Sequence, residues 1–163
     1  MSQLEQDHAL LLETVREGGA LALEGGQPTV TGREEVCMGL ALPNDPPPAE
    51  GWPVLIYGHG TKGSFRSGLN QLAESVTAMG IAVMTIDQPM HGDRRGVDLD
   101  PGPLFYNYAN PPAAKGNLYQ GAADNFSLLR LAKAIDQDLP GVGRVAFDDA
   151  RIVCVGHSQG ATT

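Results

Sequence analysis

Leu4, Leu11, Leu12 and Val15 recur at near-helical spacing, which predicts a short amphipathic helix over residues 3–17, closed by Gly18 and Gly19. Residues 18–35 carry no sustained period and read as loop. Positions 36–42 read as a strand, ended by the Pro-rich stretch P-N-D-P-P-P-A-E-G-W-P. The compact apolar run 54–57, bounded by Pro53 and Gly58, suits a strand covered on both faces. Leu69, Leu72, Val76 and Met79 then mark one face of a helix over 67–79, with Gly80 at the place of a left-handed cap. A second apolar strand follows at 81–86. Strand, turn, helix and strand in this order form the crossover unit of a parallel sheet.

Residues 87–116 form a long irregular stretch in which Leu104, Phe105, Tyr106 and Tyr108 are apolar enough to pack against something. Leu118, Ala122, Phe126, Leu129 and Ile135 predict a helix over 117–138 that ends at Pro140-Gly141, and 152–155 reads as the last strand. The pattern therefore predicts an α/β class, a mostly parallel sheet with flanking helices. It divides into an N-terminal helix and loop, 1–35, and a sheet-forming part, 36–163.

Composition narrows the function classes. The chain has 163 residues, one domain's worth, with a formal charge of −8 spread along it, so a nucleic-acid partner is not expected. No apolar run approaches the roughly 20 residues that span a bilayer. The first residues, M-S-Q-L-E-Q-D-H, lack the basic start and apolar stretch of a secretion signal. Cys37 and Cys154 fall in predicted strands, where they are expected to be small buried thiols rather than a disulfide. His8, His59, His91 and His157 are not spaced as a zinc site, so no metal is expected, and the hydrolase reading below expects no cofactor.

Two glycine turns carry the chemistry. Gly58-His59-Gly60-Thr61-Lys62-Gly63 follows a strand and fits Gly-x-Gly-x-x-Gly, with Asp87 at the end of the next strand, which allows a dinucleotide-binding module. Against it, Ser64 to Ser67 separate the third glycine from the predicted helix. Gly156-His157-Ser158-Gln159-Gly160 follows a strand and fits Gly-x-Ser-x-Gly, in which glycines flank a serine on a tight strand-to-helix turn. A serine nucleophile needs a base and amide hydrogens aimed at the developing oxyanion. The backbone N–H of Gln159 is one expected donor, and Thr61 in the earlier loop is the choice for the other. One hydrolase reading accounts for both turns.

The segments V-L-I-Y-G-H-G, I-A-V-M-T-I-D-Q-P-M-H-G-D-R and R-I-V-C-V-G-H-S-Q-G, in this order, resemble the α/β-hydrolase superfamily and its bacterial lipase- or esterase-like members. The likeness covers residues from about 36 to 163. It implies an incomplete α/β-hydrolase fold, Ser158 as nucleophile, Gln159 and Thr61 as oxyanion-hole residues and His59 as a shaper of that loop. In the family the acid and the histidine of the triad follow the serine, so the resemblance implies that both lie beyond Thr163 in a parent chain that supplies the remainder of the domain. The fragment alone is then expected to be inactive, and the parent to cleave small-molecule carboxylic esters. His157 is expected to point away from the hydroxyl, His91 to stabilise a turn and Asp87 to cap a loop or helix. Asp93, Arg94 and Arg95 are expected to form a solvated or mutually paired cluster. A non-enzymatic subunit completed by a partner chain is the third reading.

Overall fold

The computed structural model describes residues 3–16, 18–19 and 21–163. Helix α1, Gln3–Thr14, forms where the spacing predicts it, with residue 17 and the side chain of Leu4 outside the described set. Its Leu12 is exposed, and Val15 just past its end is buried. The stretch predicted as loop contains a small hairpin, β1 (Leu23–Glu24) and β2 (Gln27–Pro28). Gly25 and Gly26 join them, both at positive φ (59° and 80°), as a two-residue hairpin turn requires.

The main sheet holds β3 (Met38–Ala41), β4 (Trp52–Gly58), β5 (Ala82–Ile86), β6 (Asp136–Leu139) and β7 (Gly143–Gly156), in the spatial order β3-β5-β4-β7-β6. Its central strands β5, β4 and β7 are parallel, and β3 and β6 are antiparallel additions on either side. The predicted mixed α/β class is borne out. Strand alternation sends neighbouring side chains to opposite faces. Trp52, Val54 and Ile56 of β4 and Ala82 and Met84 of β5 share a core with Val145, Phe147, and Leu128 and Ala132 from a long helix, α5 (Pro111–Ala134). Tyr57, one position on, points the other way, against Gly68 of α2 (Phe65–Gln71). Helices therefore cover both faces of β4, as its unbroken apolar run predicts.

The helix predicted over 67–79 is two pieces, α2 and α3 (Ala73–Ala78), with Leu72 between them. Val76 is buried and Met79 is exposed, so the predicted face is right only in part. The predicted irregular stretch is more ordered than its Gly and Pro content indicates. It holds a 3-10 turn at Gly92–Arg95, the helix α4 (Pro101–Tyr106) and the first turns of α5. Leu104 and Phe105 are buried there.

The helix predicted over 117–138 begins earlier and ends at Ala134. Its buried residues are Gly121, Leu128 and Ala132, whereas Phe126 of the predicted stripe is 61% exposed. Residues 136–139 instead pair antiparallel with β7 around a turn in which Gly141 has φ 77°. Tertiary pairing here overrides local pattern. β7 pairs with β6 over Gly143 to Ala146 and with β4 at Phe147 and again from Ile152, with a register shift between Trp52 and Val54 of β4. Within the irregular part of β7, Asp148 accepts from the N–H of Ala150 and pairs with Arg151. Cys37 and Cys154, expected to be buried, are both exposed.

Candidate functional site

Register places the two glycine turns side by side. Gly58 ends β4 opposite Gly156, which ends β7, so both loops leave the carboxyl rim of the same parallel strands. The N–H of His157 donates to the carbonyl of Gly58 at 3.0 Å, and the N–H of Gly160 to the carbonyl of His157 at 2.9 Å. Ser158 has φ 52°, a left-handed conformation that a non-glycine residue adopts at a cost of order 1–3 kcal/mol. The serine is exposed and opens a 3-10 turn, Ser158–Ala161.

Its flanking glycines have steric causes. A Cβ on Gly156 would lie 2.1 Å from the carbonyl oxygen of Gly160, and a Cβ on Gly160 would lie 2.1 Å from that of Gly58. The earlier loop presses on the elbow as well: a Cβ on Gly60 would lie 2.7 Å from Nδ1 of His157. The ring of His157 is thus turned toward residue 60.

His59 is fully buried. Its Nε2 accepts the backbone N–H of Gln88 at 3.1 Å, so the ring proton sits on Nδ1, which donates to the carbonyl of Gly60 at 2.9 Å. Thr61, half-buried, has its hydroxyl 3.4 Å from that of Tyr106. Gln159 is buried under the turn, and its side-chain amide donates to Oε1 of Gln88 at 3.1 Å. Thus Gln159, next to Ser158 in the chain, is linked to His59 through Gln88, and Thr61 lies in the same loop as His59.

His91 donates through Nδ1 to the carbonyl of Pro89 at 2.9 Å, the expected turn-stabilising bond. Its ring meets His59 edge-on at 5.0 Å and Phe105 at 5.9 Å. Burial pushes the pKa of both histidines below the ordinary value, with the nearby carbonyls and Asp87 opposing it only in part. The sign follows: below about pH 6.5 the unfolded chain takes up protons that the folded chain refuses, so stability falls with pH. Urea unfolding at pH 7.5 and 5.5 is expected to show this loss, at most about 1.4 kcal/mol per pH unit for each histidine, and replacing His91 by Phe is expected to flatten it.

Asp87 is a helix cap, as expected: it accepts the N–H of Phe65, the first residue of α2, at 2.8 Å. Ser64 closes the same helix end with a reciprocal bond to Ser67. Asp87 is buried so tightly that a Cβ on Gly92 would lie 2.0 Å from its carboxylate. Neither the helix end nor this carboxylate is left open to a pyrophosphate and a ribose, which removes the basis of the dinucleotide reading.

The predicted solvated cluster of Asp93, Arg94 and Arg95 is a different arrangement. The Arg94 side chain is buried and pairs with Asp124 at 2.7 Å and with Glu34, while Arg95 pairs with Asp98. The arginine turns inward because the carbonyl of Asp87 and the Asp124 carboxylate converge on one of its nitrogens. Sequence reasoning also missed Gln88. Its only signal is a polar side chain directly after the acid that ends an apolar strand.

No family model and no curated protein sequence matches the chain. Among solved structures it is similar to Est1E from Butyrivibrio proteoclasticus with ferulic acid bound, at 21% identity and TM-score 0.49, covering 77% of this chain and 39% of that one. It is also similar to a PEG-bound cold-adapted esterase from an Arctic intertidal metagenomic library, at 20% identity and TM-score 0.41, covering 71% and 44%. The chain spans less than half the length of either esterase.

Proposed function

We propose that this sequence is the nucleophile-bearing part of an α/β-hydrolase that cleaves small-molecule carboxylic esters through an acyl-serine intermediate. One observation carries the reading. Ser158 is a non-glycine residue at φ 52°, exposed on a turn so tight that backbone fills the Cβ positions of both flanking glycines. In the reaction, the Ser158 hydroxyl loses its proton to a base, attacks the ester carbonyl and expels the alcohol; water then releases the acid and restores the hydroxyl. The Gln159 N–H and a donor from Thr61 stabilise the oxyanion in both steps. His59 fixes the shape of the 58–63 loop.

His59 and His91 are both buried, His59 bonded through both ring nitrogens to Gly60 and Gln88 and His91 through Nδ1 to Pro89, which argues against either as the base. The acid and the histidine are assigned to further sequence of a longer parent. The sheet supports that assignment. Val153 and Val155 of β7 are 56% and 42% exposed, on the face where α2 and α3 cover β3 and β5 but leave β7 bare. The remainder of the hydrolase domain is the partner proposed for that surface.

In the full-length protein, Ser158→Ala is expected to abolish both turnover of p-nitrophenyl esters and labelling by a fluorophosphonate probe. Labelling that persists in the variant would refute the assignment.

A further inference from the structure

We infer that Gln88 is a positioning residue that locks the oxyanion loop to the nucleophile elbow; the inference rests on the esterase reading of this site. Gln88 uses three of its polar groups on the two turns. Its backbone N–H donates to His59 Nε2 at 3.1 Å, its side-chain Nε2 donates to the His59 carbonyl at 2.7 Å, and its Oε1 accepts from the Gln159 side chain at 3.1 Å. All three bonds are buried, where a hydrogen bond is electrostatically stronger than in water and a lost one is costly.

The Gln159 side chain depends on this one bridge. Among the described residues its Oε1 is buried without a partner, so its amide is held through Nε2 to Gln88. The N–H proposed to meet the oxyanion belongs to the same residue. Gln88 itself leaves β5 two residues after Ile86, on the side of β4 away from β7, so a third strand end braces the rim that carries the two turns. The bridge matters because oxyanion stabilisation depends on donors fixed before the charge develops, and a displacement of about 1 Å can cost a hundredfold in rate. Gln88 touches no reacting atom in this account; it acts through His59 and Gln159.

An amide is required for the bridge, because one end must donate while the other accepts. In Gln88→Glu the carboxylate can only accept, so it faces the His59 carbonyl without a proton. When protonated, the same carboxyl donates through its O–H to His59 and accepts from Gln159, restoring both bonds.

The test is steady-state ester hydrolysis by the full-length protein, with folding followed by thermal melting. Gln88→Ala is expected to lower kcat by about tenfold to a hundredfold, with KM within about twofold of the unsubstituted protein. In Gln88→Glu the ratio of its kcat to that of the unsubstituted protein should rise as pH is lowered from 8 to 6. A kcat loss under tenfold in the alanine variant, a loss matched by a rise in KM, or a pH-independent ratio for the glutamate variant overturns the inference. If the alanine variant does not fold, the pH dependence of the glutamate ratio decides. If the unsubstituted protein shows no Ser158-dependent turnover, the esterase reading fails separately. The bridge is then judged by hydrogen exchange of the Gln159 side-chain amide: protection lost in Gln88→Ala supports it, and unchanged protection overturns it.

Discussion

Gly160→Ala is expected to silence Ser158 without touching any polar group. The added methyl carbon would sit 2.1 Å from the carbonyl oxygen of Gly58, 2.4 Å from its carbonyl carbon and 2.8 Å from the oxygen of His59. All three are backbone atoms, so no side chain can rotate away. Gly58 is also fixed by its pairing with Gly156 and by the His157 N–H that it accepts. The elbow must therefore lift off the β4 rim, carrying the serine and the Gln159 amide with it. A destabilisation of about 3 kcal/mol or more is expected from the overlap, with fluorophosphonate labelling of the full-length protein reduced about a hundredfold. Gly19→Ala is the control, since nothing lies within 4 Å of a Cβ there. Labelling of Gly160→Ala within threefold of the unsubstituted rate would contradict the packing of these turns.

Arg94→Met is expected to produce the largest loss of stability away from the site. One guanidinium nitrogen donates to the Asp87 carbonyl at 2.9 Å and to Asp124 at 2.7 Å, and another reaches Glu34. The Arg94 side chain is 5% exposed and that of Asp124 is 18% exposed, so removing the arginine leaves a mostly buried carboxylate with no countercharge there and only the Gln120 amide bonded to it. Breaking such a pair from one side costs about 3 kcal/mol. Adding Asp124→Asn should recover part of the loss, because the stranded charge is then gone. Glu34→Gln should cost under about 1 kcal/mol, since that partner is mostly solvated. Arg94→Lys is expected to fall in between, because an ammonium lacks the planar fork that serves three acceptors. Chemical denaturation of the four variants measures the series. An Arg94→Met loss below 1 kcal/mol would mean that the network contributes nothing net.

Elements with a single strong period were legible. The apolar runs at 54–57 and 81–86 became paired parallel strands because each face of such a strand buries side chains whatever surrounds it. The glycines of the second turn were legible too, since the Gly-x-Ser-x-Gly spacing already implied a turn too tight for a Cβ. The hairpin at 136–146 was not. D-Q-D-L has no strand-like alternation, and it is a strand because β7 offers it backbone partners and Arg144 meets Asp136 at 2.9 Å. The phase of α5 was likewise misjudged: Gly121, Leu128 and Ala132 are the residues it buries, so small side chains set the approach and Phe126 stays outside.

The amino-acid sequence by itself determined the alternation of strands and helices, the two glycine turns and the residue types within them, because these follow from local sterics and from side-chain periodicity. Tertiary structure alone decided that β4 and β7 are neighbours, which puts Gly58 beside Gly156 and brings two turns about 100 residues apart into contact. It also decided that Gln88 and Arg94 face inward, since a polar side chain becomes buried only where distant backbone and charge supply its bonds.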